Sequence, residues 1–119
     1  MVTLLGVYEK GWLDNKVERF IWKQLRHAYG VDQVILTDII DEETLSSLEG
    51  EVVLLEPTGD VMLHEFKHPK NVIYVFGNAM NHNLKLDGVK VRIDTPTMTD
   101  MFAFNAAAIV LESRVNEYR

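Results

Sequence analysis

Short runs rich in valine, isoleucine and leucine recur along this chain, and helix-like or polar segments separate them. Near-continuous apolar strands are typical of a parallel sheet that is covered on both faces. Strands that alternate with helices indicate a doubly wound arrangement. We therefore expect an α/β fold with a mostly parallel sheet of about five strands flanked by helices. The predicted strands are Thr3–Tyr8, Gln33–Thr37, Glu51–Leu55, Asn71–Phe76 and Val89–Ile93.

Helix-like segments lie between and after these strands. Asn15 has Glu18 three residues later, which is the spacing of a capping box, and Gly30 is placed to end the helix. The predicted first helix is Asn15–Tyr29, with the apolar residues Val17, Phe20, Ile21, Leu25 and Ala28 at helical spacing. Further helices are predicted over Asp41–Leu48, over Asp60–Lys67 and from about Asp100 onward. The last helix carries a predicted apolar stripe of Met101, Phe104, Ala108, Leu111 and Val115.

The bulk composition favours one domain over residues 1–119, because a chain of 119 residues suits a single core. The chain has no cysteine, which excludes disulfides and thiolate metal sites. Its first residues lack a basic region and no apolar run reaches about 18 residues, so the expected location is the cytoplasm. The net charge of −6 makes the chain a poor unaided RNA binder, since such binding depends on neutralising phosphates.

Three loops follow predicted strands and suit a ligand crevice, because ligands of α/β sheets bind outside the carboxyl ends of strands. They are Glu56–Gly59, the segment after Gly77, and Thr95–Thr99. Gly77 permits close approach of a ligand to the backbone, and Glu56 could accept hydrogen bonds from a ribose. Each loop alone has a plainer interpretation, as a turn or a helix cap. Together they favour a shared ligand crevice over three separate turns.

Three blocks of sequence keep a recognisable order and spacing. Gly30-Val31-Asp32 leads into the second strand, with Asn15 upstream of it. Phe76-Gly77-Asn78 closes the fourth strand. Pro96 is followed nine residues later by Asn105, at the start of an alanine-rich helix. With these blocks in this order, the chain resembles the SpoU branch of the SPOUT RNA methyltransferases.

The resemblance implies a trefoil-knotted α/β domain that forms a homodimer through its first and last helices and binds S-adenosylmethionine. With the loops above, it indicates as cofactor-binding residues Glu56, Thr58, Phe76, Gly77, Asn78, Ile93, Thr95, Pro96 and Phe104. The catalytic candidates are Asn105, Arg26 and Asn15. Four positions depart from the family pattern, since Gln24 stands in place of its arginine, Ala79 in place of its glutamate, and Met80 and His82 in place of its loop glycines. Two functions stay open: an RNA ribose 2′-O-methyltransferase, and a catalytically inactive dimeric binding or scaffold module.

Basic residues recur at helical spacing on the predicted first helix: Lys16, Arg19, Lys23 and Arg26. With Trp22 beside them, they indicate an RNA-docking face. The plainer alternative is a solvated helix face with Trp22 at an oligomer interface.

The string His64-Glu65-Phe66-Lys67-His68 matches the zinc motif H-E-x-x-H, which places two histidines one helical turn apart. Pro69 follows at once, and His82 is the one candidate third ligand downstream. A turn into the fourth strand is therefore favoured, and no metal site is expected.

Overall fold

Six strands form one parallel sheet in this computed structural model, which describes residues 1–9, 11, 13, 15–38, 42–77, 86–97 and 101–119. The order across the sheet is β2-β1-β5-β3-β6-β4. The strands are β1 (Val2–Val7), β2 (Gln33–Thr37), β3 (Glu51–Leu55), β4 (Val61–Met62), β5 (Val72–Phe76) and β6 (Val89–Arg92). The predicted α/β class with a mostly parallel sheet is confirmed. The two-residue strand β4, at the edge of the sheet, was not predicted, because two residues are too few to show a period.

Alternate residues of the central strands pack on opposite faces of the sheet, as the pleat of a strand requires. On one face, Leu4, Val53 and Tyr74 share a core with residues of the helices α1 (Lys16–Tyr29) and α3 (Ala103–Glu117). On the other face, Leu5, Leu54 and Ile73 pack with Leu45 of the short helix α2 (Glu42–Ser46). The start predicted for α2, Asp41, lies outside the described residues.

Helix α1 has the predicted ends. The Asn15 side chain accepts a hydrogen bond from the Glu18 backbone N–H at 3.1 Å, and Gly30 adopts a left-handed conformation with φ of 65°. The predicted apolar face is wrong in part, since Val17 and Phe20 are 68% and 61% exposed. The buried residue of α1 is Trp22. The spacing of apolar residues does not decide which side of the helix faces the sheet. Burying Trp22 removes more apolar area from water than burying Val17, because the indole ring is larger.

Helix α3 is rotated by about one residue relative to the predicted stripe. Its buried residues are Ala103, Ala107, Val110 and Leu111, so of the predicted stripe only Leu111 is buried. Small alanines allow the helix backbone to lie close to the sheet, which apolar spacing alone does not reveal. None of the described helices is long and apolar enough to cross a membrane.

The segment predicted as a helix over Asp60–Lys67 is not one. Val61 and Met62 form β4, and Leu63–Glu65 form a single 3₁₀ turn. His64 and His68 are therefore not one α-helical turn apart, and the geometry of the H-E-x-x-H motif does not form. Val61 and Met62 are paired with β6, and Pro69 keeps the residue before it out of the helical conformation, so a regular helix cannot extend across this segment.

Both long helices run antiparallel to the strands. Helix α1 begins after the carboxyl end of β1 and ends before β2. Helix α3 follows β6, and its last turn reaches the residues that precede β5, where Arg114 donates to the carbonyl of Lys70 at 3.1 Å. The starts of α1 and α3 therefore lie at the carboxyl edge of the sheet.

Candidate functional site

The carboxyl ends of three adjacent strands define the candidate site. In the sheet, β3 lies between β5 and β6, and Leu55 is in register with both Phe76 and Val91. Because all three strands are parallel, their carboxyl ends at Leu55, Phe76 and Arg92 lie side by side at one edge. The chain leaves β3 towards β4 and returns on the other side of β3 as β5. Such a change of direction is where α/β sheets open a crevice.

The turn after β3 is fixed tightly against β6. The Glu56 backbone N–H donates to the Val91 carbonyl at 3.0 Å, and the Gly59 N–H donates to the Glu56 carbonyl at 3.1 Å. Arg92 donates to the Gly59 carbonyl at 2.9 Å and pairs with Asp94 at 3.1 Å. A Cβ atom on Gly59 would stand 2.7 Å from the Val91 carbonyl carbon. The site therefore has one rigid wall that only glycine permits.

Glu56 is the buried charge-bearing residue of this wall, with 5% of its surface exposed. Carboxylates are rarely buried to this extent unless they have partners, and Glu56 does interact with its surroundings. Its position directly after β3 places the residue at the carboxyl edge of the sheet. A carboxylate there can accept hydrogen bonds from hydroxyl groups of a ligand.

The remaining predicted cofactor-binding residues differ in how much surface they offer. Phe76 is 1% exposed and packs 5.9 Å from the Trp22 ring, so only its backbone is available to a ligand. Partly buried residues at this edge are Gly77, Ile93, Thr95 and Phe104, and exposed ones are Thr58 and Pro96. Asn78 lies outside the described residues. Their roles in binding stay predictions.

The structure brings two of the three predicted catalytic residues to this edge. Asn15 caps the start of α1, and Asn105 is exposed in the first turn of α3. Arg26 lies in the last turn of α1, about 16 Å along the helix axis from Asn15 at 1.5 Å per residue. Within one chain, Arg26 therefore lies towards the opposite edge. Gln24 is exposed on α1, whereas Ala79 and His82 lie outside the described residues.

A buried polar pair next to this edge was not predicted. The Trp22 Nε1–H donates to the Tyr8 hydroxyl at 2.7 Å. Burial raises the pKa of Tyr8 to about 12, and burial also raises the pKa of the nearby Glu18 carboxyl. Glu18 Oε2 has no hydrogen-bond partner among the described residues. Trp22 is thus a core residue, so its predicted place on an RNA-docking face or an oligomer interface is wrong.

A second polar cluster lies at the opposite edge of the sheet. We define the His68 cluster as His68, Tyr74, Ser113, Arg114, Glu117 and Tyr118. His68 is 4% exposed, and its Nδ1 and Nε2 atoms lie 2.6 Å from the Tyr74 hydroxyl and 3.0 Å from the Ser113 hydroxyl. Burial lowers the pKa of His68 and raises the pKa of Tyr74 to about 12. Both rings are therefore neutral near pH 7.

The donor and acceptor roles in the His68 cluster can be worked out from Arg114, because a guanidinium group donates hydrogen bonds but cannot accept them. Arg114 can only donate, and it does so to the Tyr74 oxygen at 3.4 Å. Of the two side chains that contact the Tyr74 oxygen, only His68 can accept the Tyr74 O–H, so this arrangement favours the tautomer with the ring proton on Nε2, which points to Ser113. In this arrangement His68 cannot take a proton from Ser113. The pair resembles a nucleophile and its base in distance alone.

The same contacts bear on the zinc motif. Both ring nitrogens of His68 are engaged within the protein, and His64 is exposed in the 3₁₀ turn. No group of three histidine, aspartate or glutamate side chains among the described residues could hold a metal ion.

A cleft of about 580 Å³ separates α3 from the 3₁₀ turn. Its lining residues are Leu63, His64, Phe66, Ile93, Asp94, Ile109, Ser113, Asn116 and Glu117. Ile93 links this cleft to the bend after β6, and Ser113 and Glu117 link it to the His68 cluster. The cleft therefore extends along α3 between the two polar regions of the molecule.

No protein-family model matches the sequence, and no curated protein is significantly similar to it. The resemblance to the SpoU branch rests on the three sequence blocks alone. Membership of that family and the knot that it implies stay predictions.

Proposed function

We propose that this protein binds an adenosyl-bearing ligand, with S-adenosylmethionine as the first candidate, at the carboxyl edge of β5, β3 and β6. The observation that carries the proposal is the adjacency of these three parallel strands, whose carboxyl ends lie at one edge together with the buried Glu56. Gly77 would admit the ligand close to the backbone, and Glu56 would accept hydrogen bonds from the ribose hydroxyls. Thr95 would offer a further polar contact.

Methyl transfer to a ribose 2′-hydroxyl of RNA is the extension of this proposal. Asn15 and Asn105 lie at the same edge, and the basic residues Lys16, Arg19, Lys23 and Arg26 are all exposed along α1. Transfer also needs a group that removes the hydroxyl proton, and neither Gln24 nor Ala79 can do so. The function supported best is therefore ligand binding, with catalysis as a separate question for a labelled-methyl assay on RNA.

Titration calorimetry with S-adenosylmethionine and its demethylated product tests the binding claim. We expect saturable heat with a dissociation constant on the order of 1 µM to 1 mM, the usual range for enzyme substrates. Replacing Glu56→Gln should weaken binding by roughly tenfold or more, because a hydrogen bond to a charged group contributes about 1.5–3 kcal/mol.

The matched control is Glu65→Gln, which removes the same charge from an exposed side chain on the 3₁₀ turn and should leave binding unchanged. Folded protein that gives no heat at millimolar ligand would rule out the proposed cofactor. Equal weakening in both variants would place the ligand elsewhere.

A homodimer through α1 and α3 is the second part of the proposal. Large apolar side chains are exposed on or beside these two contacting helices, with exposed fractions of 68% for Val17, 61% for Phe20, 63% for Phe102 and 39% for Ile109. Exposed apolar side chains grouped on neighbouring elements favour an interaction surface. The inactive scaffold alternative uses the same surface.

Sedimentation equilibrium should show a dimer that Phe20→Gln weakens by about tenfold or more, since burying a phenylalanine contributes roughly 1.5–3 kcal/mol. Val89→Gln is the control, because Val89 is also exposed, at 42%, but lies at the start of β6 away from both helices. A strictly monomeric protein at high concentration would remove the dimer from the proposal.

A further inference from the structure

The last turn of α3 is held mainly by polar contacts. All buried residues of this helix lie at or before Leu111, and Asn116, Glu117 and Tyr118 are exposed. Apolar burial therefore secures the first part of the helix and contributes little beyond it. The end of α3 must depend on its hydrogen bonds.

Those hydrogen bonds converge on the loop that precedes β5. Arg114 donates to the carbonyls of Pro69 at 2.5 Å and Lys70 at 3.1 Å. Both carboxylate oxygens of Glu117 lie 3.0 Å from the His68 backbone N–H, and the Tyr118 hydroxyl donates to the His68 carbonyl. His68 is thus linked to the end of α3 at three points. Its backbone N–H bonds to Glu117, its carbonyl to Tyr118 and its ring to Ser113.

A second proton on the His68 ring would disrupt this arrangement. With Nδ1 protonated, that atom donates to the Tyr74 oxygen instead of accepting from it, and the Tyr74 O–H, beside the donating Arg114, loses its acceptor. The groups that face His68 are Tyr74 from β5, the Phe66 ring from the preceding loop, and Ser113, Arg114, Glu117 and Tyr118 from α3. The Arg114 charge opposes a histidine cation, whereas the Glu117 charge favours it. Desolvation by burial is the largest influence and opposes the cation.

We propose that the His68 cluster is an acid-sensitive latch, in which protonation of His68 releases the last turn of α3 from the loop before β5. Release frees the wall of the 580 Å³ cleft that Ser113 and Glu117 form, so the cleft widens. Helix α3 up to Leu111 stays in place, because its apolar residues keep their contacts with the sheet.

The sign of the effect follows from the lowered pKa of the buried His68. In the released state the ring is solvated and has its ordinary pKa of about 6.5, so that state binds a proton more readily. At pH values well above this pKa, the equilibrium between the latched and released states therefore does not change with pH. Release becomes more favourable by about tenfold for each pH unit below this pKa, until the pH reaches the lower pKa of the latched state.

Hydrogen exchange measured at pH 7.5 and pH 5.0, corrected for the intrinsic pH dependence of exchange, tests the latch. The amides after Arg114 should lose protection at pH 5.0 by up to about 30-fold, whereas those of the helix before Leu111 should not change. In His68→Gln, which has no titratable ring, protection should be equal at the two pH values. His64→Gln changes an exposed histidine of the same region and should behave as the parent protein does.

Two results would overturn the latch: unchanged protection in the parent protein, or the same loss in His68→Gln as in the parent. If His68→Gln does not fold, an NMR titration of the parent protein serves instead. The His68 ring should then titrate below pH 6.5, together with the shifts of the last turn of α3. Titration of that ring without any change in the helix end would equally overturn the proposal.

Discussion

Replacing Trp22→Ala should lower the free energy of unfolding by about 3–5 kcal/mol, which is the usual cost of removing a buried aromatic side chain. Trp22 is 1% exposed, packs 5.9 Å from the Phe76 ring and donates to the Tyr8 hydroxyl. The change leaves a large cavity between α1 and the sheet. A loss of this size is a substantial fraction of the total stability of an ordinary domain. Urea denaturation followed by circular dichroism measures it.

Two companion variants separate the causes. Trp22→Phe keeps an aromatic ring but loses the hydrogen bond to Tyr8, and should cost about 1–2 kcal/mol. Lys23→Ala changes the next residue, which is exposed on the same helix, and should alter stability by no more than about 0.5 kcal/mol. A loss below about 1 kcal/mol in Trp22→Ala would mean that Trp22 is not a core residue.

Replacing Gly59→Ala should destabilise the fold by about 2–3 kcal/mol, because the added Cβ atom meets backbone that cannot easily move. That atom would stand 2.7 Å from the Val91 carbonyl carbon and 2.8 Å from the Arg92 nitrogen. The turn after β3 would have to separate from β6, which also removes the hydrogen bond from Arg92 to the Gly59 carbonyl. Since this turn forms one wall of the proposed ligand site, binding of S-adenosylmethionine should weaken as well.

Gly11→Ala is the matched control, because a Cβ atom on Gly11 has no neighbour within 4 Å. Its effect on the free energy of unfolding should stay within about 0.5 kcal/mol. Thermal unfolding of the two variants gives the comparison directly. Equal effects would show that the Gly59 turn can move without strain, and the rigid wall of the site would no longer hold.

The bounds of the strands could be predicted closely from the sequence. The side of each helix that packs against the sheet could not. Strand β2 and strand β3 have the predicted bounds, β1 is shifted by one residue at both ends, and β5 and β6 are each one residue shorter than predicted. Apolar runs ended by glycine, proline or polar residues are local signals, which the sheet does not override. The exposed Phe20 and the buried Trp22 show the limit for helices. The sequence placed Phe20 on the apolar stripe of α1 and Trp22 on its basic face, and only packing against the sheet decides which of them is buried.

The candidate site divides in a similar way. The bends after β3, β5 and β6 were identified as loops from the sequence, and parallel strands require their carboxyl ends to share an edge. Which bends are neighbours depends on the strand order, since β5 takes its place between β1 and β3 only after the chain has passed through β4. The burial of Glu56 and the fit of Gly59 against β6 likewise follow from that order.

By itself, the sequence determined that this protein is an α/β domain with a parallel sheet, because repeated apolar runs can be buried in few other ways. The tertiary structure alone decided the His68 cluster. His68 and Ser113 are 45 positions apart, and His68 belongs to a segment whose motif suggested a metal site. Only the packing of α3 against β5 brings Tyr74 and Ser113 to the two ring nitrogens, because partners so distant in sequence leave no periodic signal.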